Sequence, residues 1–377
     1  MAFSKRTIPL PGLYPGVVHE LTVFQFGASN TSRSIYLQAG LHADENPGLL
    51  VLQHLLERLK ELDDRDGIDG LITIVPFANP IGMSQRVFDS VLGRFDLGNG
   101  ENFNRNFPSF DALVSQQVSA EIERSAADWK ACFVSHLDSL KPTTATATMK
   151  WHLTRLAIQH DIVLDLHCDI DCVSHLYASQ AQEDQAVRLA GALKVPVVLL
   201  EPDGAGGQAF DNVYSSAWRQ LELNGAIASG QRGFSATVEL RGKADIDDPL
   251  AKADAAGLLE FMAQEGIVDG HAMDELDAQP RVARCYPLVA ASHVPCPVAG
   301  LVVYRKRPGD AVDEGEVIAE VVHLDGIGER TPVRSDCAGM LVIRQAPGLV
   351  RPGQRLALIA SHMRSPSWDG SQPLLDA

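Results

Sequence analysis

His42 and Glu45 stand three residues apart in the stretch Gly40-Leu41-His42-Ala43-Asp44-Glu45-Asn46-Pro47-Gly48. An imidazole and a carboxylate held at the turn where a buried strand ends can face one metal ion, which makes the pair candidate zinc ligands. Alone, H-x-x-E also describes two unrelated surface side chains, so a metal site needs a third ligand, a base and a way to hold substrate. His167 is the best third ligand. It closes the apolar run Ile162-Val163-Leu164-Asp165-Leu166-His167, and open parallel sheets bind ligands outside the carboxyl ends of their strands. Two histidines and a glutamate leave a fourth position for water, the catalytic rather than the structural arrangement of zinc.

Glu239 is the candidate general base. It is the one carboxylate in Phe234-Ser235-Ala236-Thr237-Val238-Glu239-Leu240. Burial would raise its pKa toward the range where it takes a proton from water and returns it to a leaving nitrogen. A salt bridge to Arg241 is the structural alternative, and Glu201, also at a strand end, is the rival base. Asn104 and Arg105 are suited to gripping a substrate carboxylate. Arg94, or else Arg86, could polarise the scissile carbonyl and stabilise the oxyanion. A second metal set, His167, Cys168, Cys172 and His175, is local in sequence. A strand would point His167 and Cys168 to opposite faces, so free buried thiols are the expectation there.

The elements that must position these residues read as alternating strands and helices. Residues 34–40 form a strand, and Leu49, Leu52, Leu56 and Leu59 form the apolar stripe of a helix with Pro47 in its first turn. Residues 71–77 are a continuous apolar run, the pattern of a strand covered on both faces. This β-α-β succession implies a mostly parallel sheet flanked by helices. Residues 1–30 read as irregular, with an edge strand over 18–26. A long loop, 79–108, carries the cations and has the length of a functional loop. Helix is expected over 110–140, a Thr-rich turn over 141–148 and helix over 149–160. After the strand ending at His167 come a helix over 180–193, a strand over 195–200, a Gly-rich loop over 204–207, the Glu239 strand and a helix over 249–264.

The composition changes near residue 283, which divides the chain into an α/β catalytic domain, 1–283, and a small all-β domain, 284–377. The second part repeats itself. Ala299-Gly300-Leu301-Val302-Val303 matches Ala338-Gly339-Met340-Leu341-Val342 at an offset of 39, and Pro308-Gly309 matches Pro347-Gly348. Two such copies suggest a pseudo-symmetric β sandwich.

The chain has 377 residues, 45% of them hydrophobic and 21% charged, with a formal net charge of -16. That acidity argues against non-specific nucleic-acid or anionic-membrane binding. No signal peptide or membrane span is legible, which makes the cytoplasm the expected compartment. Six scattered cysteines, at 132, 168, 172, 285, 296 and 337, read as reduced thiols.

Taken in order, G-L-H-A-D-E-N-P-G, N-F-N-R, D-L-H and T-V-E-L resemble the succinylglutamate desuccinylase/aspartoacylase family, which is related to the zinc carboxypeptidases. The resemblance implies a carboxypeptidase-like α/β domain with one zinc per chain on His42, Glu45 and His167. It implies Glu239 as the acid/base residue and Asn104 and Arg105 as binders of the substrate carboxylate. The family's loop arginine precedes an aromatic residue, which favours Arg94-Phe95 over Arg86. N-F-N-R stands where many members have D-L-N-R, and H-A-D-E where H-G-N-E is common, departures that bear on the choice of acyl group and amino acid. The C-terminal repeat resembles the barrel-sandwich fold of biotinyl and lipoyl carriers. Its hairpin at 323–328 has no lysine to carry a prosthetic group, so it is expected to shape the site entrance or a homo-oligomer contact. The expected activity is hydrolysis of the amide of an N-acylated amino acid or similar small carboxylate. Carboxypeptidase action on short peptides, or metal and ligand binding without catalysis, are the alternatives.

Overall fold

The structure is a computed structural model and describes residues 3–28, 31, 33–118, 124–202, 207–228, 230, 233–270, 283–345 and 347–363. Most of the expected Gly-rich loop at 204–207, and residues 271–282 before the expected domain boundary, lie outside the described residues.

Apolar strands that need cover on both faces make up the centre of the fold. In chain order the first strands and helices are β1 (Ser4–Leu10), β2 (His19–Phe26), β3 (Ser34–Ala39), α1 (Pro47–Asp63), β4 (Leu71–Val75), α2 (Pro80–Ser84), β5 (Arg86–Val87) and β6 (Ser90–Val91). Next come α3 (Asp111–Val118), α4 (Ala126–Ser139), α5 (Ala145–Ala157), β7 (Ile162–Asp169), β8 (Asp171–Cys172), β9 (His175–Ser179), α6 (Glu183–Ala192), β10 (Val197–Glu201), α7 (Phe210–Leu223), β11 (Phe234–Gly242), α8 (Asp248–Gln264) and β12 (Arg284–Pro287). Nine strands form one mixed sheet in the order β1-β2-β4-β3-β7-β11-β9-β10-β12. β3 lies parallel to β4 and β7, β7 to β11, and β10 to β9 and β12, while β1/β2, β2/β4 and β11/β9 are antiparallel.

Helices cover both faces. Leu52, Leu55 and Leu59 of α1 share one core with Leu189 of α6 and Leu258 and Met262 of α8. On the other face Trp129 and Phe133 of α4, Met149 and Leu153 of α5, and Trp218 of α7 form the second. This is the helix-flanked, mostly parallel sheet that the strand and helix pattern implies.

Several boundaries differ from the sequence expectation for local reasons. β1 occupies part of the segment read as irregular; it is the exposed edge of the sheet, where Pro9 is tolerated because an edge strand can leave one side unpaired. The Thr-rich segment expected as a turn opens α5, because the Thr144 side chain accepts from Ala147 N–H and caps the helix. The 79–108 loop holds the short α2 and the β5–β6 hairpin. β12 joins the main sheet beside β10, so that sheet continues past position 283.

The C-terminal β region comprises β13 (Ser292–Pro295), β14 (Gly300–Tyr304), β15 (Ala311–Val312), β16 (Val317–Val322), β17 (Arg330–Arg334), β18 (Gly339–Arg344), β19 (Leu349–Val350) and β20 (Arg355–Ala360). The repeat is visible in the pairing. β14 and β16 pair in one sheet and their counterparts β18 and β20 in the other, while the short strands cross over, β15 pairing with β18 and β19 with β14. The exchange encloses a shared apolar core that includes Val302, Ile318, Leu341 and Leu356.

Candidate active site

The turn after β3 is held from three sides. Gly40 has a φ of 69°, left-handed backbone that a side chain would strain, and a Cβ there would lie 2.8 Å from Leu49 Cδ2. Asn79 Nδ2 donates to Leu41 O at 2.8 Å, while its Oδ1 accepts from Gly82 N at 2.7 Å and caps α2. Ala43 N donates to Gly93 O at 2.9 Å. A Cβ on Gly93 would fall 2.2 Å from the backbone nitrogen of Asp44, so only glycine lets the loop press against this turn. That approach brings the next residue, Arg94, to the site.

His42, Glu45 and His167 converge. Glu45 Oε1 is 2.9 Å from His42 Nδ1 and Oε2 is 2.8 Å from His167 Nδ1. All three are buried, and one ligand atom from each lies within 4.8 Å of the others; among the described residues no other group of three His, Cys, Asp or Glu side chains does this. The outward ring nitrogens are engaged. His167 Nε2 is 2.8 Å from Asp165 Oδ2, and Asp165 Oδ1 accepts from Gln38 Nε2 at 3.1 Å. His42 Nε2 is 3.0 Å from Asn102 Oδ1, which also accepts from Asn104 N at 2.8 Å. With each Nε2 directed at an acceptor, both Nδ1 lone pairs are left for a cation. Two imidazoles and a carboxylate with supported second nitrogens fit a zinc ion. Asp165 and Asn102 went unread in the sequence although the signal existed: Asp165-x-His167 on one strand puts both side chains on the same face.

The charges in this cluster are interdependent. Burial resists the Glu45 carboxylate, but the two histidines outweigh it and hold Glu45 well below the usual carboxylate range. Burial lowers His42, against the pull of Glu45. His167 sits well above the usual imidazole range, because Asp165 and Glu45 overcome the cost of burial.

Glu239 stands beside His167: the two are register partners on the parallel strands β11 and β7. Its Oε2 is buried and has no hydrogen-bond partner among the described residues. Burial, and then the charge of Glu45, push it up to about 8. Arg241 does not neutralise it. The strand bulges after Glu239, Arg241 adopts a φ of 61°, and its guanidinium turns to Asp254 on α8 at 3.1 Å.

His42, Glu45, His167, Glu239, Arg94, Asn104 and Arg105 all line a cavity of about 270 Å³. Arg94 Nη1 lies 3.4 Å from His42 Nδ1 and 3.6 Å from Glu45 Oε1. Arg86 is elsewhere, on the exposed β5–β6 hairpin, where it donates to Asp89 O at 3.0 Å. Asn104 Oδ1 accepts from Phe210 N at 2.9 Å, which leaves its Nδ2 to the pocket. The loop bearing these residues is anchored on α5 by Lys150, a buried cation that pairs with Glu101 and donates to Asn102 O at 3.3 Å. Lys150→Met removes that anchor. The expected results are a stability loss of about 1–3 kcal/mol in denaturant unfolding and a rise in KM larger than the fall in kcat.

The competing Cys/His set does not assemble. Cys172 Sγ donates to Arg241 O at 3.0 Å, and His175 Nδ1 lies 2.9 Å from Val173 O. Burial pushes both the Cys168 and Cys172 thiols up, so neither is a ready thiolate.

Glu201 shares the pocket and also faces a neighbouring cavity of about 420 Å³. It accepts from Asn212 Nδ2 at 2.8 Å. Burial, and then Asp211, raise it to about 8, and burial raises Asp211 to about 6. An unfolded glutamate ionises near about 4.3, so between these values the folded protein holds the extra proton. The stability that Glu201 lends is fully present below the unfolded value and is lost as pH rises through 8. Glu201→Gln keeps the shape of the protonated acid without titrating. It is expected to match wild type at pH ~4 and exceed it by on the order of 2 kcal/mol at pH ~9; thermal unfolding curves that stay parallel across that range would refute this.

No helix among the described residues is long and apolar enough to cross a membrane. No curated protein matches the chain. Solved structures do. A succinylglutamate desuccinylase/aspartoacylase family protein from Shewanella amazonensis aligns over 95% of this chain and 98% of its own, at 25% identity and a TM-score of 0.80. A second from Shewanella frigidimarina covers 95% and 97% at 24% identity and a TM-score of 0.84. The product-bound ectoine utilization protein EutE (DoeB) from Ruegeria pomeroyi covers 95% and 94% at 18% identity and a TM-score of 0.69, a likeness of fold. The succinylglutamate desuccinylase/aspartoacylase catalytic domain model matches residues 31–264, the span that holds the triad, the cation loop and Glu239. By that match the chain belongs to the succinylglutamate desuccinylase/aspartoacylase family.

Proposed function

We propose that the protein is a cytoplasmic zinc-dependent amidohydrolase that removes the acyl group from an N-acyl amino acid or a similar small carboxylate. One zinc per chain would be held by His42, Glu45 and His167. The observation that carries this reading is the meeting, in one pocket, of that ligand set with Glu239, a carboxyl group whose buried Oε2 has no partner among the described residues. Family membership supports the same class of reaction.

A bound zinc ion would supply Lewis-acid polarisation of the acyl carbonyl and of a water molecule. Glu239 takes a proton from that water as oxygen adds to the carbonyl carbon, and gives it to the amide nitrogen as the C–N bond breaks. The products are a carboxylic acid and a free amine. Arg94, beside Glu45, directs its guanidinium at the oxygen that becomes negative. Asn104 Nδ2 and the Arg105 guanidinium grip the carboxylate of the amino acid and hold the amide in place. In the turn the Ala43–Gly93 contact keeps Arg94 in register with the ligands.

The test is amine release by zinc-loaded protein from a panel of N-acetyl and N-succinyl amino acids, with dipeptides in parallel. Acylated amino acids are expected to be cleaved faster than dipeptides. The reading is abandoned if the zinc-replete protein liberates no amine across the panel, and is replaced by a carboxypeptidase reading if dipeptides are preferred.

A further inference from the structure

Strand register fixes which side chains share the floor of the cavity. His167 on β7, Glu239 on β11 and His175 on β9 stand in one row across three strands, and Asp165, Thr237 and Tyr177 stand in the next. Tyr177 is therefore diagonal to Glu239 on the adjacent strand. Diagonal neighbours across an antiparallel pair are about 7–8 Å apart at the backbone, within reach of an aromatic and a long side chain. Both residues line the cavity. The ring of Tyr177 is held from two sides. It shares a core with Val197 and Leu199 of β10 and with Val342 and Leu358 of the C-terminal β region, and His175 meets it edge-on, the ring centroids 5.2 Å apart. Pairing of β8 with β18 brings that region here, and with it Gln345 and Arg355 in the cavity wall.

Glu239 Oε2 is a buried acceptor with no hydrogen bond among the described residues, and the groups around it are nearly all committed. His167 has Glu45 at one nitrogen and Asp165 at the other. Arg241 is turned to Asp254, Lys243 pairs with Asp44, and Arg94 faces Glu45 at 3.6 Å. Cys172 Sγ donates to Arg241 O, and the Cys168 thiol is a weak donor. His175 directs Nδ1 at Val173 O, so the hydrogen of that ring sits on Nδ1. Burial keeps the ring neutral, which makes its orphaned Nε2 a second acceptor, not a donor. The hydroxyl of Tyr177 is the exception. It has no hydrogen bond among the described residues. Burial, and then the charge of Glu239, push the phenol well above its ordinary range, so it keeps its hydrogen. A buried phenol ordinarily finds an acceptor and a buried carboxylate a donor.

We propose that Tyr177 is a positioning residue for Glu239: its hydroxyl donates a hydrogen bond to Oε2, which holds the carboxyl and leaves Oε1 to face the reacting water and then the amide nitrogen. The strands already set the backbone spacing, so side-chain rotation makes the bond. The phenol hydrogen stays on Tyr177 throughout, and the proton taken from water is carried by Oε1 until it passes to nitrogen. The role given to Glu239 rests on the deacylase reading; the hydrogen bond rests on the pocket alone.

The experiment is a double-mutant cycle with a spectroscopic arm. In zinc-loaded protein Tyr177→Phe is expected to lower kcat on the best N-acyl substrate roughly 10- to 100-fold and to leave KM unchanged. In the Glu239→Gln background, where no base remains to be positioned, the same change is expected to alter the residual kcat by about twofold or less. A loss of the same factor in both backgrounds, a loss confined to KM, or no loss at all overturns the proposal; a loss in KM alone would make Tyr177 a substrate contact. The second arm needs no turnover. In protein labelled with 3-fluorotyrosine, the 19F resonance that disappears in Tyr177→Phe belongs to Tyr177, and it is expected to shift in Glu239→Ala, which removes the acceptor. If wild type cleaves no N-acyl amino acid, the deacylase reading fails and this comparison decides alone: a shift supports the hydrogen bond and an unmoved resonance overturns it. Tyr177→Phe keeps the ring that packs between the sheets, and zinc content equal to wild type shows that the pocket is intact. Should that content differ, the 19F comparison again decides.

Discussion

Glu239→Gln is expected to bind one zinc per chain as wild type does and to lose about 10²- to 10⁴-fold in kcat, the usual contribution of a positioned acid/base group. The substitution keeps size and polarity and removes only the ability to take up and release a proton. The neighbourhood of Glu239 makes the effect specific. Its Oε2 lacks a partner among the described residues, and Arg241, the nearest cation in sequence, is committed to Asp254, so no ion pair is broken. Burial and Glu45 raise the carboxyl to about 8. A divalent cation at the triad favours the ionised form and draws that value down. Activity should therefore rise with pH on a limb that lies below 8 in the zinc-loaded protein, because the base is the deprotonated form. Zinc content by mass spectrometry and kcat on the best N-acyl substrate check both halves. A variant within tenfold of wild type would remove Glu239 from the reaction.

The second large effect is on the metal. His167→Ala deletes one of the three proposed ligands and is expected to weaken zinc binding on the order of 10³-fold, with activity lost in proportion at limiting zinc. His42→Ala should act alike. Asp165→Asn probes the support behind His167. It leaves all three ligands but weakens the acceptor at Nε2, 2.8 Å away, so a smaller loss of about 10- to 100-fold is expected. Chelator competition orders the three variants. Zinc binding at wild-type strength in both histidine variants would show that the triad is not the metal site. The two histidines are supported differently, His167 by a carboxylate and His42 by the Asn102 amide.

Much of the site could be read from residue order because its parts are local. A strand, a sharp turn and a helix starting at Pro47 bring His42 and Glu45 to the carboxyl end of the central strands, and an apolar run ending in His167 reaches the same end. Period-two alternation also placed Asp165 beside His167, a signal present but unread. Helix α5 began earlier than expected because the Thr144 cap converts a turn-like threonine run into a first helical turn.

Other features depend on approaches between distant segments. The position of Arg94 at the triad, and of Arg86 away from it, follows from the contact of Gly93 with the turn at Ala43. The freedom of Glu239 from Arg241 follows from a bulge and one left-handed residue. The entry of Arg355 into the pocket follows from pairing between β8 and β18, strands more than 160 residues apart in the chain. The proposed ligand types, the strand ends that carry them and the layered α/β plan were legible in residue order, since these follow from spacing and hydrophobic periodicity. Which cations face the proposed metal site, and which part of the chain closes it, was decided only by tertiary packing, because side-chain direction across non-local contacts leaves no periodic trace in sequence.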